Sequence, residues 1–117
     1  GWAHGPGGNN LEGKLICNAI TTGGSTESYG SQGFNNYRLQ DFLRPLEQTA
    51  RICKMTWLPI FSIQGTYRHA PEHFTHYGNQ YRLALQCLAE GSIDLTQISK
   101  HKSLNEWVAS TERQAAQ

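Results

Sequence analysis

Thr21-Thr22-Gly23-Gly24, with Tyr29 following, is the stretch of this sequence best suited to chemistry. It stands directly behind the apolar run Leu15-Ile-Cys-Asn-Ala-Ile20 and opens about a dozen residues of Ser/Gly/Tyr loop. Loops that long are functional or disordered more often than they are simple connectors. Glycines let backbone N–H groups approach a flat, electron-rich ligand closely, and successive N–H groups form a nest that favours negative charge. Tyr29 adds a ring and a hydroxyl. The pattern suits stabilising negative charge on a planar cofactor or substrate. A plain turn is the alternative, because short glycine motifs carry little weight without their context.

Two other constellations compete. His69, Glu72, His73 and His76 gather three imidazoles and a carboxylate within eight residues, and His73 and His76 share a helix face that a metal ion could use. Nothing supplies an obvious general base beside them, so the segment is read as the solvated start of an amphipathic helix and no native metal site is assigned. Cys17 lies mid-strand with no histidine placed beside it, which argues against a nucleophile.

The chain has 117 residues, enough for one small domain, and a formal net charge of +1. No basic stripe of the kind nucleic-acid binding needs is present, so no nucleic-acid partner is expected. No apolar run approaches the roughly 20 residues that span a bilayer, and no signal-peptide pattern opens the chain. Cys17, Cys53 and Cys87 are an odd count at wide spacing in apolar segments, which fits free thiols in a reducing compartment. A soluble cytoplasmic protein is the expectation.

The elements that must position TTGG follow from periodicity. Gly1 to Gly13 reads as loop, and Lys14 to Thr22 as one short buried strand ending at Gly23-Gly24. Asn35 or Asn36 is placed to cap a helix over residues 37–54, with Leu39, Phe42, Leu43, Leu46, Ala50 and Cys53 on its apolar face. Pro45 is comfortable only in a first turn, so that helix is kinked near Asp41 or starts later. Met55 to Gln64 reads as a second strand, with Pro59 marking an edge or a bulge. Thr66 to Ala70 is loop. Pro71 suits N1 of a helix running to about Glu90 and stopped by Gly91, with Phe74, Tyr77, Tyr81, Leu85 and Leu88 on its apolar face. Residues 92–117 form a separate C-terminal helix or tail anchored by Leu104, Trp107 and Val108.

Strand, helix, strand, helix implies parallel strands in an α/β arrangement. Parallel sheets are normally covered on both faces, and two strands alone are barely stable. The sequence therefore reads as an incomplete domain, and it also begins at Gly1 with no initiator methionine.

Ile20-Thr-Thr-Gly-Gly24, Tyr29, Gln32-Gly33, the opening Gly1-Trp-Ala3 with Gly7-Gly8, and Leu43-Arg-Pro-Leu-Glu47 together resemble the C-terminal part of the flavodoxin-like NAD(P)H:quinone oxidoreductases. Within that family they are most like the bacterial branch that includes the ancillary proteins of glutathione-gated potassium efflux systems. The likeness covers residues 1–91 and keeps the spacing between motifs.

The resemblance implies a three-layer flavodoxin-like fold around a parallel sheet of order 2-1-3-4-5, of which this chain would hold strands 4 and 5. It implies that Thr21, Thr22, Gly23 and Gly24 contact a flavin ring, FMN rather than FAD, and that Tyr29 lies at the reacting face. Where the quinone-reductase branch has a histidine six residues beyond that tyrosine, this chain has Asn35, which cannot take a proton. Trp2 and His4 fall where aromatic residues border the substrate site, often facing a second subunit of a homodimer. The implied activity is ping-pong hydride transfer from NAD(P)H through flavin to a quinone, the cofactor carrying the chemistry. The loop that grips the flavin phosphate would precede Gly1, so the chain alone is expected to be inactive. A non-catalytic regulatory role at a membrane potassium-efflux transporter, peripheral at the inner membrane, is the alternative.

Overall fold

The computed structural model describes residues 1–91 and 93–115. The chain forms two compact units, Gly1–Cys17 with Glu27–Leu58, and Asn18–Thr26 with Pro59–Gln117.

In the first unit, β1 (Leu15–Ile16) pairs in parallel with β3 (Thr56–Trp57), with Leu15 opposite Thr56. Thr56 N–H donates to the Lys14 carbonyl and Leu58 N–H to the Ile16 carbonyl, each at 2.9 Å. A 3₁₀ turn over Leu39–Leu43 leads into α1 (Arg44–Ile52), so the helix starts later than residue 37 and Pro45 sits in its first turn. Neither Asn35 nor Asn36 caps it; Asn36 takes a left-handed conformation (φ 66°). Instead the Asp41 carboxylate accepts the Arg38 amide at 3.1 Å, tightening the 3₁₀ turn. Leu39, Ala50 and Leu58 are buried, but Phe42 and Leu46, expected on the core face, are about half exposed. Periodicity identifies an apolar stripe without supplying what covers it.

In the second unit, β2 (Ala19–Thr21) pairs in parallel with β4 (Phe61–Ile63) in the register Ala19–Phe61, Ile20–Ser62, Thr21–Ile63. The expected strand 14–22 is thus two short strands, and so is 55–64. It is also not fully buried, for Leu15, Ala19 and Thr21 are exposed. Pro59, with no N–H to give a ladder, lies in the sequence between β3 and β4.

Helix α2 (Pro71–Glu90) runs between the limits read from sequence, from Pro71 in its first turn to Gly91 in the left-handed conformation (φ 74°). Its buried positions are Gln80 and Ala84, while Phe74 and Leu85 of the expected face are exposed. Beyond Gly91 come α3 (Leu95–Ser99), capped by the Asp94 carboxylate, and α4 (Leu104–Ala115). Leu104, Trp107 and Val108 are buried as expected, joined by Ile98. Helix α4 also closes one edge of β4. The Ser62 amide donates to Asn105 Oδ1 at 3.0 Å, Asn105 Nδ2 donates to the Ser62 carbonyl at 2.9 Å, and Leu104 N–H donates to the Ile60 carbonyl at 2.8 Å. A side-chain amide thus stands where another strand would pair, so the sheet cannot grow beyond β4. Among the described residues, the strands pair only two by two, fewer than a flavodoxin-like sheet of five.

Candidate functional site

Thr21-Thr22-Gly23-Gly24 leaves the carboxyl end of β2, the end at which open α/β sheets place their ligands. Thr22 and Gly24 are tied to the chain around them. Thr22 N–H donates to the Ile63 carbonyl at 2.9 Å, the Thr22 carbonyl accepts Thr66 N–H at 3.1 Å, and the Gly24 carbonyl accepts Gly65 N–H at 2.9 Å. The Thr22 hydroxyl also donates to the Gly24 carbonyl, at 2.8 Å. The N–H groups of Gly23 and Gly24 make no hydrogen bond among the described residues. The Thr22 and Gly24 carbonyls are bound internally, and two consecutive donors, the Gly23 and Gly24 N–H groups, are left over. Such a pair of donors fits the electron-rich edge of a planar ring.

Gly65 makes the second half of this arrangement. Its left-handed backbone (φ 67°) lets the chain turn back after β4 and bond to the TTGG loop, and the 3₁₀ turn Thr66–Arg68 follows. The Tyr67 ring then lies on Gly23. A Cβ at Gly23 would come within 2.8 Å of the ring carbon Cε2. The sequence marks Tyr67 only as part of the loop Thr66 to Ala70. Its contact spans 44 residues, and a glycine in local sequence carries no mark of what approaches it.

Tyr29, Trp2 and His4 belong to the first unit. Tyr29 is half-buried and meets Phe42 edge to face at 5.9 Å, and Phe42 meets Tyr37 at 6.2 Å. Tyr37, Asp41 and Phe42 line a hollow of about 500 Å³. The loop that holds Tyr29 is shaped by Gly33, where a Cβ would meet the Glu27 and Ser28 carbonyl oxygens at 2.4 Å. Asn35 donates its backbone N–H to the Ser28 carbonyl at 2.9 Å. Trp2 and His4 are both exposed; the Trp2 carbonyl accepts the Asn10 side-chain amide at 2.9 Å, and Gly8 lies so close to the His4 carbonyl that no side chain fits there.

The histidines have structural work. His69 Nε2 donates to the Gln64 carbonyl at 2.8 Å, and His73 Nδ1 accepts the Ala70 N–H at 3.1 Å, satisfying an amide at the start of α2. Among the described residues, no group of three His, Cys, Asp or Glu side chains is arranged to hold a metal ion. Burial pushes the Cys17 thiol above its ordinary range, which suppresses the thiolate and with it nucleophilic chemistry. No helix among the described residues is long and apolar enough to cross a membrane.

Comparison with known proteins agrees with this geometry. The flavodoxin-like fold family matches residues 1–85. A glutathione-regulated potassium-efflux system ancillary protein KefG from Erwinia tasmaniensis is 43% identical over 81 residues, which make up 69% of this chain and 44% of that protein. The chain therefore spans under half the length of such relatives. Among solved structures, general stress protein 14 of Treponema denticola, in complex with FMN, superposes with a TM-score of 0.68 at 29% identity, covering 74% of this chain and 49% of that one. A chain described as a thermophilic tryptophan halogenase from Streptomycin violaceusniger gives a TM-score of 0.66 at 30% identity, covering 69% and 47%. Such different descriptions on one architecture mean that the site, and not the fold, must carry the functional argument. On its parallel strands, its donor-rich loop after β2 and the match over residues 1–85, the chain belongs to the flavodoxin-like family.

Proposed function

We propose that the protein acts as an NAD(P)H-dependent, FMN-containing quinone oxidoreductase, with the flavin ring held by Thr21, Thr22, Gly23 and Gly24. One observation carries this: Gly23 and Gly24 keep unpaired N–H groups at the carboxyl end of β2, while the Thr22 and Gly24 carbonyls are bound internally. The FMN complex of the Treponema denticola neighbour supports the choice of cofactor. When bound, FMN supplies two-electron chemistry between nicotinamide and quinone.

The chain's own contribution is electrostatic and geometric. The Gly23 and Gly24 N–H groups would hold the edge of the bound ring and favour negative charge there, and fixed donors of this kind can be worth a few kcal/mol each. The Thr22 hydroxyl holds the Gly24 carbonyl away from that edge. Tyr29 is assigned to the reacting face. Its partner there is not a proton carrier, since Asn35 offers only hydrogen bonds. Trp2 and His4 border the entrance for the quinone, in a homodimer.

A second reading is a regulatory subunit at a potassium-efflux transporter, peripheral at the inner membrane, favoured by the identity to KefG. The two roles are compatible. They separate on purification of the full-length protein: the enzymatic reading expects a yellow protein that oxidises NAD(P)H when given a quinone. A colourless protein that refuses added FMN leaves only the binding role.

A further inference from the structure

Tyr67 is placed by backbone bonds more than by packing. Gly65 and Thr66, immediately before it, are tied to the Gly24 and Thr22 carbonyls at 2.9 and 3.1 Å. Its ring nevertheless remains 92% exposed. A single exposed ring is ordinary on a protein surface. This one lies across Gly23, whose N–H is one of the two unpaired donors of the site. A Cβ on Gly23 would stand 2.8, 3.4 and 3.8 Å from Tyr67 Cε2, Cδ2 and Cζ. The absence of a side chain at Gly23 therefore has two beneficiaries, any ligand that comes to the amide and the ring of Tyr67.

We propose that Tyr67 is a ring-binding residue of the Thr21–Gly24 site, an aromatic wall beside the edge that the Gly23 and Gly24 amides hold. The proposal rests on the flavin reading above and adds a residue to it. An aromatic side chain there offers a face or an edge to a flat conjugated ligand, which is the arrangement aromatic pairs favour. The turn Thr66–Arg68 delivers it without drawing on any hydrogen bond of the ring itself, so the position asks for a ring and not for the phenol oxygen.

The test is FMN titration of the full-length protein, followed by flavin fluorescence, for wild type, Tyr67→Phe, Tyr67→Ala, Gly23→Ala and the Gly23→Ala/Tyr67→Ala pair. Tyr67→Ala is expected to weaken FMN binding about tenfold. The flavin bound to it should also be brighter, because a stacked tyrosine no longer quenches it. Tyr67→Phe should bind within about twofold of wild type. The denaturation midpoint of Tyr67→Ala should not move, since the ring is exposed. The double variant should bind no better than Tyr67→Ala. Wild-type affinity in Tyr67→Ala would overturn the proposal, as would Tyr67→Phe losing as much as Tyr67→Ala. Recovery of wild-type affinity by the double variant would show that Gly23 serves only the ring, with the same consequence. A wild-type protein that takes up no FMN is a different failure, one that removes the flavin reading and Tyr67's role with it.

Discussion

The hydroxyl of Thr22 donates to the carbonyl of Gly24 across a single intervening glycine, at 2.8 Å. That bond closes the loop on itself. With the Gly65 and Thr66 amides, it occupies the Thr22 and Gly24 carbonyls, and the Gly23 and Gly24 N–H groups remain as donors. Preorganisation of this kind means that a ligand meets amides already in place.

Thr22→Val keeps the β-branched shape and removes the donor. It should cost about 0.5–1.5 kcal/mol of stability, the usual net value of one hydrogen bond. FMN affinity should fall several-fold as the loop loosens, and Thr22→Ser should restore both. Urea denaturation alongside flavin titration reads the two effects; a Thr22→Val protein indistinguishable from wild type in both would remove the hydroxyl from the account.

Asn105 satisfies both backbone groups of Ser62 at the edge of β4. Asn105→Ala leaves that amide and carbonyl without their partner and opens a strand edge. A loss of about 1–3 kcal/mol is expected, from the cost of an unsatisfied backbone group. Increased self-association should accompany it, as exposed edges template pairing. Light scattering at matched concentration checks the second effect.

Gly33 cannot accept a side chain without displacing backbone. A Cβ would stand 2.4 Å from the carbonyl oxygens of Glu27 and Ser28. Gly33→Ala is expected to destabilise by about 1–3 kcal/mol and to shift the loop holding Tyr29. Gly23→Ala should be mild in folding by contrast, since the obstacle is an exposed ring that can turn aside. Comparing their denaturation midpoints tests the distinction between backbone and side-chain obstacles.

Asp41 is held below its ordinary carboxylate range by the Arg38 guanidinium, with Arg44 assisting; Glu106 is lowered by the Lys102 backbone amide and then by His101. Both folded-state values lie below the unfolded ones, 3.8 and 4.5, so their stabilisation is complete above that range and is lost as pH falls through the folded values. Thermal midpoints should be insensitive to these two groups near neutrality and drop in acid. The acid drop should be smaller in Asp41→Asn, and an unchanged drop would remove Asp41 from the explanation.

Legibility followed the range of the interactions involved. The ends of α2 were readable because Pro71 and Gly91 act on their own backbone, and Pro45 correctly argued for a late start to α1. The parallel pairing was readable from element order. The strands were not, because Leu58–Ile60 and Cys17–Asn18 fall outside the strands and interrupt two apolar runs that look continuous. Burial of Phe42, Leu46, Phe74 and Leu85 was over-read, since a stripe does not name its cover. Within the site, Thr21 to Gly24 could be singled out by residue type, whereas Tyr67 could not, its partner being 44 positions away.

The most direct measurement is the flavin content of the full-length protein and of its Gly23→Val variant, each purified and then offered FMN. A valine there would obstruct close approach to the Gly23 and Gly24 amides. The account predicts wild type carrying about one FMN per chain and the variant, still folded, carrying none. Equal flavin uptake by the two proteins, or none by wild type, would contradict it.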